Sequence, residues 1–128
     1  MAKTLAGPAT NSKDERLWKG TGVKYHNRIV RTKDGVFHSK KEHDRYLELK
    51  LLEAARTIQG LRRQVTYELA PRCVLDGKVK RSLRYVADFE YTEDGKVVTE
   101  DVKGFKNRVY LLKRHLMKTV QNIEVRET

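Results

Sequence analysis

A single cysteine, Cys73, among 128 residues leaves no disulfide framework and no thiolate zinc site. That usage fits a reducing compartment. No stretch approaches the roughly 18 apolar residues of a membrane span. Charges stand near the N-terminus where a signal peptide would need an apolar run. The sequence is therefore expected to be soluble and cytoplasmic, without membrane contact. A phosphate-cradling Gly-rich loop and a hydrolase nucleophile motif are also missing, so no nucleotide cofactor is expected. The four histidines, His26, His38, His43 and His115, have no metal-ligand spacing with one another.

Charge is what the chain has in plenty. Lys and Arg number 28 against 17 Asp and Glu, a formal charge of +11, while the 38% hydrophobic residues suffice for one modest core. A domain this small buries a limited share of its surface, so self-association is a natural supplement. The positive excess implies a polyanionic partner. Nucleic acid comes first, because each neutralised phosphate releases counterions. From Met1 through Lys41 there are ten Lys or Arg and three acids. Residues 1–22, with Gly7, Pro8, Gly20 and Gly22 and only Leu5, Leu17 and Trp18 as anchors, read as a flexible basic arm. Such an arm is either a solvated tail or a DNA grip. Residues 23–128 read as one domain.

Within it, Lys24 to Arg31 and Gly35 to His38 are predicted strands joined by Lys33-Asp34-Gly35. Ser39 reads as a helix N-cap. Leu47, Leu51, Ala54 and Ile58 have helical spacing, which predicts a helix from Lys40 to about Gln59, stopped by Gly60. Val65, Tyr67 and Leu69 alternate on a strand from Gln64 to Leu69. Pro71 ends it, and Asp76-Gly77 marks a hairpin tip. Leu83 to Tyr91 and Lys96 to Lys103 are predicted strands around Asp94-Gly95. Val109, Leu112, Leu116 and Val120 predict an amphipathic helix from Arg108 to Val120. Ile123 to Arg126 is a last short strand. The order is helix, three antiparallel-type strands, helix, strand: an α/β fold with a mixed central sheet flanked by helices. The tyrosines at 25, 67, 85, 91 and 110 are expected in the core or at its rim.

The most informative residues are Asp88, within Tyr85-Val86-Ala87-Asp88-Phe89, and the run Glu100-Asp101-Val102-Lys103-Gly104. Strand alternation puts Asp101 and Lys103 on one face, about 7 Å apart along the backbone, and Glu100 on the other. A hairpin of this length brings Asp88 beside Asp101. Two carboxylates and an ammonium then converge, as phosphodiester hydrolysis requires. Carboxylate oxygens suit Mg²⁺ or Mn²⁺, the Val102 carbonyl offers another oxygen, and Lys103 offsets charge on the transition state. An Asp and a Lys two apart on an exposed strand also form a routine salt bridge. Asp88 argues for chemistry, because between Val86, Ala87 and Phe89 a charge is costly without a role.

These residues resemble the PD-(D/E)xK nuclease superfamily, whose core has the same αβββαβ order. Phe37-His38-Ser39-Lys40-Lys41-Glu42, Tyr46-Leu47-Glu48-Leu49 and Glu100-Asp101-Val102-Lys103-Gly104-Phe105 look like a family of small phage-borne nucleases. That family was long catalogued as a domain of unknown function and is similar to Holliday-junction resolvases. The resemblance covers about Lys24 to Val125. It implies a restriction-endonuclease-like core, Asp88 and Asp101 as metal ligands, Lys103 as the catalytic lysine, and a metal role for Glu42 on the first helix. Ala87 stands where the superfamily's name has proline, and Asp101 where glutamate is commoner. Only Asp101 shares a face with Lys103. Glu42 has a second reading, since Ser39-x-x-Glu42 is also a capping box.

Lys40 and Lys41 in the first turn of the first helix would strengthen a phosphate site. Lys106, Arg108, Lys113, Arg114 and Lys118 form a basic stripe with no acid between Lys103 and Lys118. The reading is a Mg²⁺-dependent, structure-selective DNA endonuclease. It is expected to be a homodimeric four-way-junction resolvase acting in phage recombination or DNA processing, in the host cytoplasm if phage-encoded. The alternatives are a nicking or restriction-like nuclease of other DNA preference, and a non-catalytic nucleic-acid-binding module.

Overall fold

The computed structural model describes residues 28–128. The arm expected at residues 1–22 and the start of the strand expected from Lys24 lie outside the described residues. The chain divides between Lys40 and Lys41 into two units. In the first, β1 (Val30–Thr32) pairs antiparallel with β2 (Gly35–Phe37), Val30 opposite Phe37. The Thr32 hydroxyl accepts the Asp34 N–H at 3.1 Å and donates to the Gly35 carbonyl at 3.3 Å, which closes the expected turn.

Helix α1 (Lys40–Ala54) leads into the second unit. There follow β3 (Ile58–Ala70), the hairpin of β4 (Cys73–Leu75) and β5 (Lys78–Lys80), then β6 (Leu83–Glu93), β7 (Lys96–Asp101), α2 (Arg108–Gln121) and β8 (Arg126–Glu127). Strands β3, β6, β7 and β8 form a mixed sheet in that order, with β7 and β8 parallel and the other neighbours antiparallel. The fold is thus mixed α/β, with a four-stranded mixed sheet and two helices. Both expected tips are two-residue turns with φ positive at each centre, 50° and 75° at Asp76-Gly77 and 51° and 77° at Asp94-Gly95. Those angles match the right-handed twist of the strands they join. Among the described residues, no helix is long and apolar enough to cross a membrane.

Several boundaries differ from the sequence pattern for visible reasons. Helix α1 ends at Ala54, well before Gln59. Arg56 takes a left-handed φ of 63°, its N–H bonds the Glu53 carbonyl, and the Thr57 N–H reaches back to Leu52. This is a C-terminal cap of two nested hydrogen bonds. Ile58, expected on the helix, instead opens β3 and is buried. β7 stops at Asp101, and the last strand is Arg126–Glu127 where Ile123 to Arg126 was predicted.

The inward faces of both helices also differ from their aliphatic periodicity. On α1 the buried residues are Glu42, Tyr46 and Leu49, while Leu47 and Leu51 are exposed. On α2 they are Tyr110 and Met117, while Val109, Leu112 and Val120 are more than half exposed at 59%, 62% and 52%. Tyr110 and Met117 join Leu69, Tyr85, Ala87 and Val125 in one cluster. Tyr46 of α1 stacks on Phe89 of β6, ring centres 6.3 Å apart. Burying a side chain as large as Phe89 stabilises by roughly 1.5–3 kcal/mol. These contacts fix α1 and α2 against the strands that hold the acidic residues. Asn107 starts α2 by accepting the Tyr110 N–H at 2.8 Å.

Candidate active site

Register brings the acidic residues together. Phe89 pairs with Glu100 across β6 and β7, so the next position along sets Asp88 beside Asp101. Each carboxylate accepts a backbone N–H from the other's side of the hairpin. The Asp88 N–H donates to Asp101 Oδ1 at 2.8 Å, and the Val102 N–H donates to Asp88 Oδ2 at 2.9 Å. Asp101 is 1% exposed, and its second oxygen, Oδ2, is buried and accepts no hydrogen bond. Lys103 Nζ lies 3.7 Å from that oxygen, too long for a hydrogen bond, and sits 4.5 Å above the Tyr110 ring. Burial raises the Asp101 carboxyl pKa above its ordinary value. The Asp88 N–H and the Lys103 charge oppose that rise, and the charge of Glu42 adds to it.

Glu42 reaches the same region from α1. It is 3% exposed, its Oε2 accepts Gln64 Nε2 at 3.2 Å, and the Arg63 guanidinium lies 3.7 Å from that oxygen. Gln64 falls between the pairs Arg63–Phe89 and Val65–Ala87, hence across β3 from Asp88. Its φ of 50° is uncommon for a residue with a side chain and marks a local departure from regular strand. Sequence reasoning missed Gln64 and Arg63. An alternating strand offers no signal that one of its polar residues turns toward a buried carboxylate.

Glu100, adjacent to Asp101, belongs to a separate arrangement. It is 0% exposed, and Arg45 grips both its oxygens, Nε to Oε2 at 2.6 Å and Nη2 to Oε1 at 3.0 Å. The Tyr91 hydroxyl donates to Oε1 and the Thr128 hydroxyl to Oε2. Burial pushes the Glu100 carboxyl up, yet the Arg45 and Tyr91 hydrogen bonds outweigh it and hold the pKa below its ordinary value. Burial and the bond to Glu100 push the Tyr91 hydroxyl up to about 12. Thr128 also ties its N–H to the Asp101 carbonyl at 3.0 Å and its carbonyl to the Lys103 N–H at 3.1 Å. The segment from Asp101 to Lys103 is therefore held on both flanks, although β7 itself has ended.

The expected cationic residues have mixed surroundings. Lys40 is exposed at the start of α1, and Lys41 Nζ donates to the Lys103 carbonyl at 3.3 Å. Lys106 and Arg114 both pair with Glu127, at 2.9 and 3.5 Å. Of the stripe expected on α2 and its lead-in, Glu127 thus neutralises two members, while Arg108 and Lys113 form no ion pair among the described residues.

Among the described residues, no group of three or more His, Cys, Asp or Glu side chains is built to hold a metal ion. Two carboxylates, those of Asp88 and Asp101, could hold only a cation that keeps most of its water. Mg²⁺ is commonly held by one or two carboxylates plus substrate phosphate, and here two carboxylates meet with one buried oxygen left without a hydrogen bond.

Fold and cluster together define a small α/β protein with a carboxylate–lysine centre at the meeting of β6, β7 and α1. Within that class, the chain belongs to the family described as protein of unknown function (DUF1064), whose model matches residues 22–128. No curated protein matches it.

Proposed function

We propose that the chain is a divalent-metal-dependent DNA endonuclease with a restriction-endonuclease-like core, its site formed by Asp88, Asp101, Lys103 and Glu42. The observation behind this reading is Asp101 Oδ2, a buried carboxylate oxygen without a hydrogen bond, 3.7 Å from a lysine ammonium and beside a second aspartate. A protein gains nothing in stability from that arrangement, because a buried charge costs more than a long ion pair returns. That imbalance is what supports a functional role for the pair.

Asp88 and Asp101 would hold Mg²⁺ or Mn²⁺, with Glu42 and the Val102 carbonyl as further oxygen donors. When bound, the cation supplies Lewis-acid polarisation of the phosphate and a more acidic water. Lys103 directs its ammonium at the same spot, orients the attacking water and offsets charge building on the phosphoryl oxygens. The water oxygen gives up a proton to solvent and forms a new bond to phosphorus, one ester P–O bond breaks, and the departing alkoxide takes up a proton from solvent. The Thr128 contacts and the Arg45–Glu100 pair hold the backbone on which Asp101 and Lys103 sit. Lys40, Lys41, Lys106, Arg108, Lys113 and Arg114 would meet the DNA backbone.

The finer reading is a homodimeric four-way-junction resolvase in phage recombination. The exposed Val109, Leu112 and Val120 on α2 favour self-association, and a two-fold dimer would set two sites at the spacing that a near-symmetric junction presents. Digestion of matched duplex, flap, single-stranded and four-way-junction substrates, with Mg²⁺ and with excess EDTA, tests both levels. Cleavage only with metal is expected, strongest on junctions. Activity in EDTA removes the metal mechanism. A monomer that still prefers junctions removes the resolvase reading and leaves the nuclease.

A further inference from the structure

A cleft of about 620 Å³ lies at the end of the sheet where β3 stops and β6 begins, beside the base of the β4–β5 hairpin. Arg72, Arg81, Arg84 and Lys113 line it together with Glu68 and Ser82. Four cations therefore face one carboxylate. None of the four forms an ion pair among the described residues; Arg84 Nε donates only to Ser82 Oγ, at 3.1 Å. Glu68, although opposite Arg84 in the strand register, does not pair with it.

Several basic residues elsewhere in this unit do have acidic partners, while Arg56, Lys78, Lys80, Lys96, Arg108 and Lys118, like the four of the cleft, form no ion pair among the described residues. Glu48 and Glu100 neutralise Arg45, Glu53 neutralises Lys50, and Glu90 neutralises Arg62. Glu93 pairs with Arg126, and Glu127 with Lys106 and Arg114. What sets the cleft apart is that four such cations share one concavity with a single carboxylate. Grouped like charges repel one another, and a concave wall concentrates their field. Three of the four are arginines, whose planar forks match phosphate oxygens in pairs.

We infer that this cleft is a second anchoring site, taking the sugar–phosphate backbone of DNA at a fixed distance from the cleavage centre. The inference rests on the nuclease reading for the identity of its polyanion. Arg84 and Asp88 are four residues apart on β6, about 13 Å along the strand. Measured along the axis of a duplex, which rises about 3.4 Å per nucleotide, that span corresponds to at most roughly four nucleotide steps. The cleft grips the backbone a few nucleotides from the bond at Asp88 and fixes which phosphate reaches the carboxylates. The stripe on α2 contributes only Lys113. The three arginines come from the ends of β3, β5 and β6, which meet only in the folded chain.

The test is fluorescence anisotropy of the full chain on a labelled duplex in EDTA, across a series of salt concentrations. Arg81→Gln with Arg84→Gln, and separately Arg72→Gln with Lys113→Gln, remove two charges each from the cleft. Arg56→Gln with Lys96→Gln removes two exposed charges at the opposite end of the sheet. Each cleft pair should raise Kd roughly tenfold and shallow the log–log salt slope by about 1.8, two phosphates at 0.9 each. The control pair should change Kd less than about twofold, all three melting like the parent. Equal effects from cleft and control pairs, or an unshifted slope, overturn the anchoring site. Slopes that shift in a chain that never cleaves with Mg²⁺ would overturn the nuclease and leave the cleft standing. Unshifted slopes in a chain that cleaves would do the reverse, and a chain that does not bind DNA loses both.

Discussion

Replacing Asp101 by Asn should stabilise the metal-free protein, although Asp101 is among the least exposed residues of the fold. Its carboxylate receives one backbone hydrogen bond, at Oδ1, and one ammonium 3.7 Å from Oδ2. At an effective dielectric of 20 that ammonium returns about 4 kcal/mol of attraction. Desolvating a carboxylate costs several kcal/mol for that ion alone, and Glu42 adds repulsion. The raised pKa of Asp101 gives the sign of the balance: the folded state holds this proton to higher pH than the unfolded state does. The destabilisation is absent below about pH 4, the ordinary range, grows as pH rises, and is complete above the folded-state pKa. Asparagine keeps an acceptor for the Asp88 N–H and discards the charge. A gain of about 1 kcal/mol at neutral pH is expected, worth roughly 4 °C in Tm. Metal should reverse the ranking. At a hundredfold excess over Kd, Mg²⁺ stabilises the parent by about 2.7 kcal/mol, and the variant should gain almost none. Thermal melts of both proteins in EDTA and in Mg²⁺, at acidic and neutral pH, read the crossover. A variant that melts lower in EDTA and rises as much as the parent in Mg²⁺ would refute both the cost of this charge and its role as ligand.

The other expectations concern residues around the same centre. Lys103→Ala should lower cleavage by about a hundredfold or more while DNA affinity is retained, since the ammonium acts mainly on charge that develops during reaction; single-turnover rates and anisotropy separate the two. Glu42→Gln should abolish most cleavage with Tm nearly unchanged, because glutamine can still cap a helix and bond Gln64; normal turnover would leave Glu42 only a structural role. Glu100→Gln should cost about 3 kcal/mol in denaturant unfolding, because Arg45 loses a buried counter-charge. The lowered pKa of Glu100 places this stabilisation above the ordinary carboxylate range and removes it as pH falls through the folded-state value. The difference between parent and variant should therefore vanish in acid.

The order of the sheet and helices was legible because turn chemistry and strand alternation are local properties. Asp76-Gly77 and Asp94-Gly95 set their hairpins by backbone preference alone, and Val65, Tyr67 and Leu69 alternate as a half-buried strand must. The helix faces were illegible for an informative reason. On α1 the inward positions are given to Glu42 and Tyr46, and on α2 to Tyr110 and Met117. On α1 a buried glutamate takes a place that aliphatic spacing would give to the core, and on α2 the core is filled by a tyrosine and a methionine, which a count of branched aliphatics passes over. Asp88, Asp101 and Lys103 could be placed together because parity and hairpin length are enough to do so. Gln64 could not, because its approach to Glu42 depends on a left-handed backbone that nothing near it in sequence announces. The arginines at the cleft are separated by turns and a hairpin, so their grouping appears only in three dimensions.

The pairing of Thr128 with Asp101 and Lys103 across a parallel strand has a temporal meaning. Residues far apart in sequence must meet, with all of α2 between them, before the lysine is held beside the carboxylates. Parallel pairings of this kind form late, after local hairpins, because a long loop must close first. An incompletely folded chain can therefore carry the β6–β7 hairpin, with both aspartates in register, and still lack a fixed lysine. The same coupling runs backwards during unfolding, where release of residues 126–128 would free Lys103 before the aspartate pair separates. Amide exchange at Lys103 and Thr128 should then be faster than at Tyr91 or Val98 in the middle of the sheet. Under the proposed nuclease reading, a cell making this protein would meet its cutting competence only in chains that have finished folding.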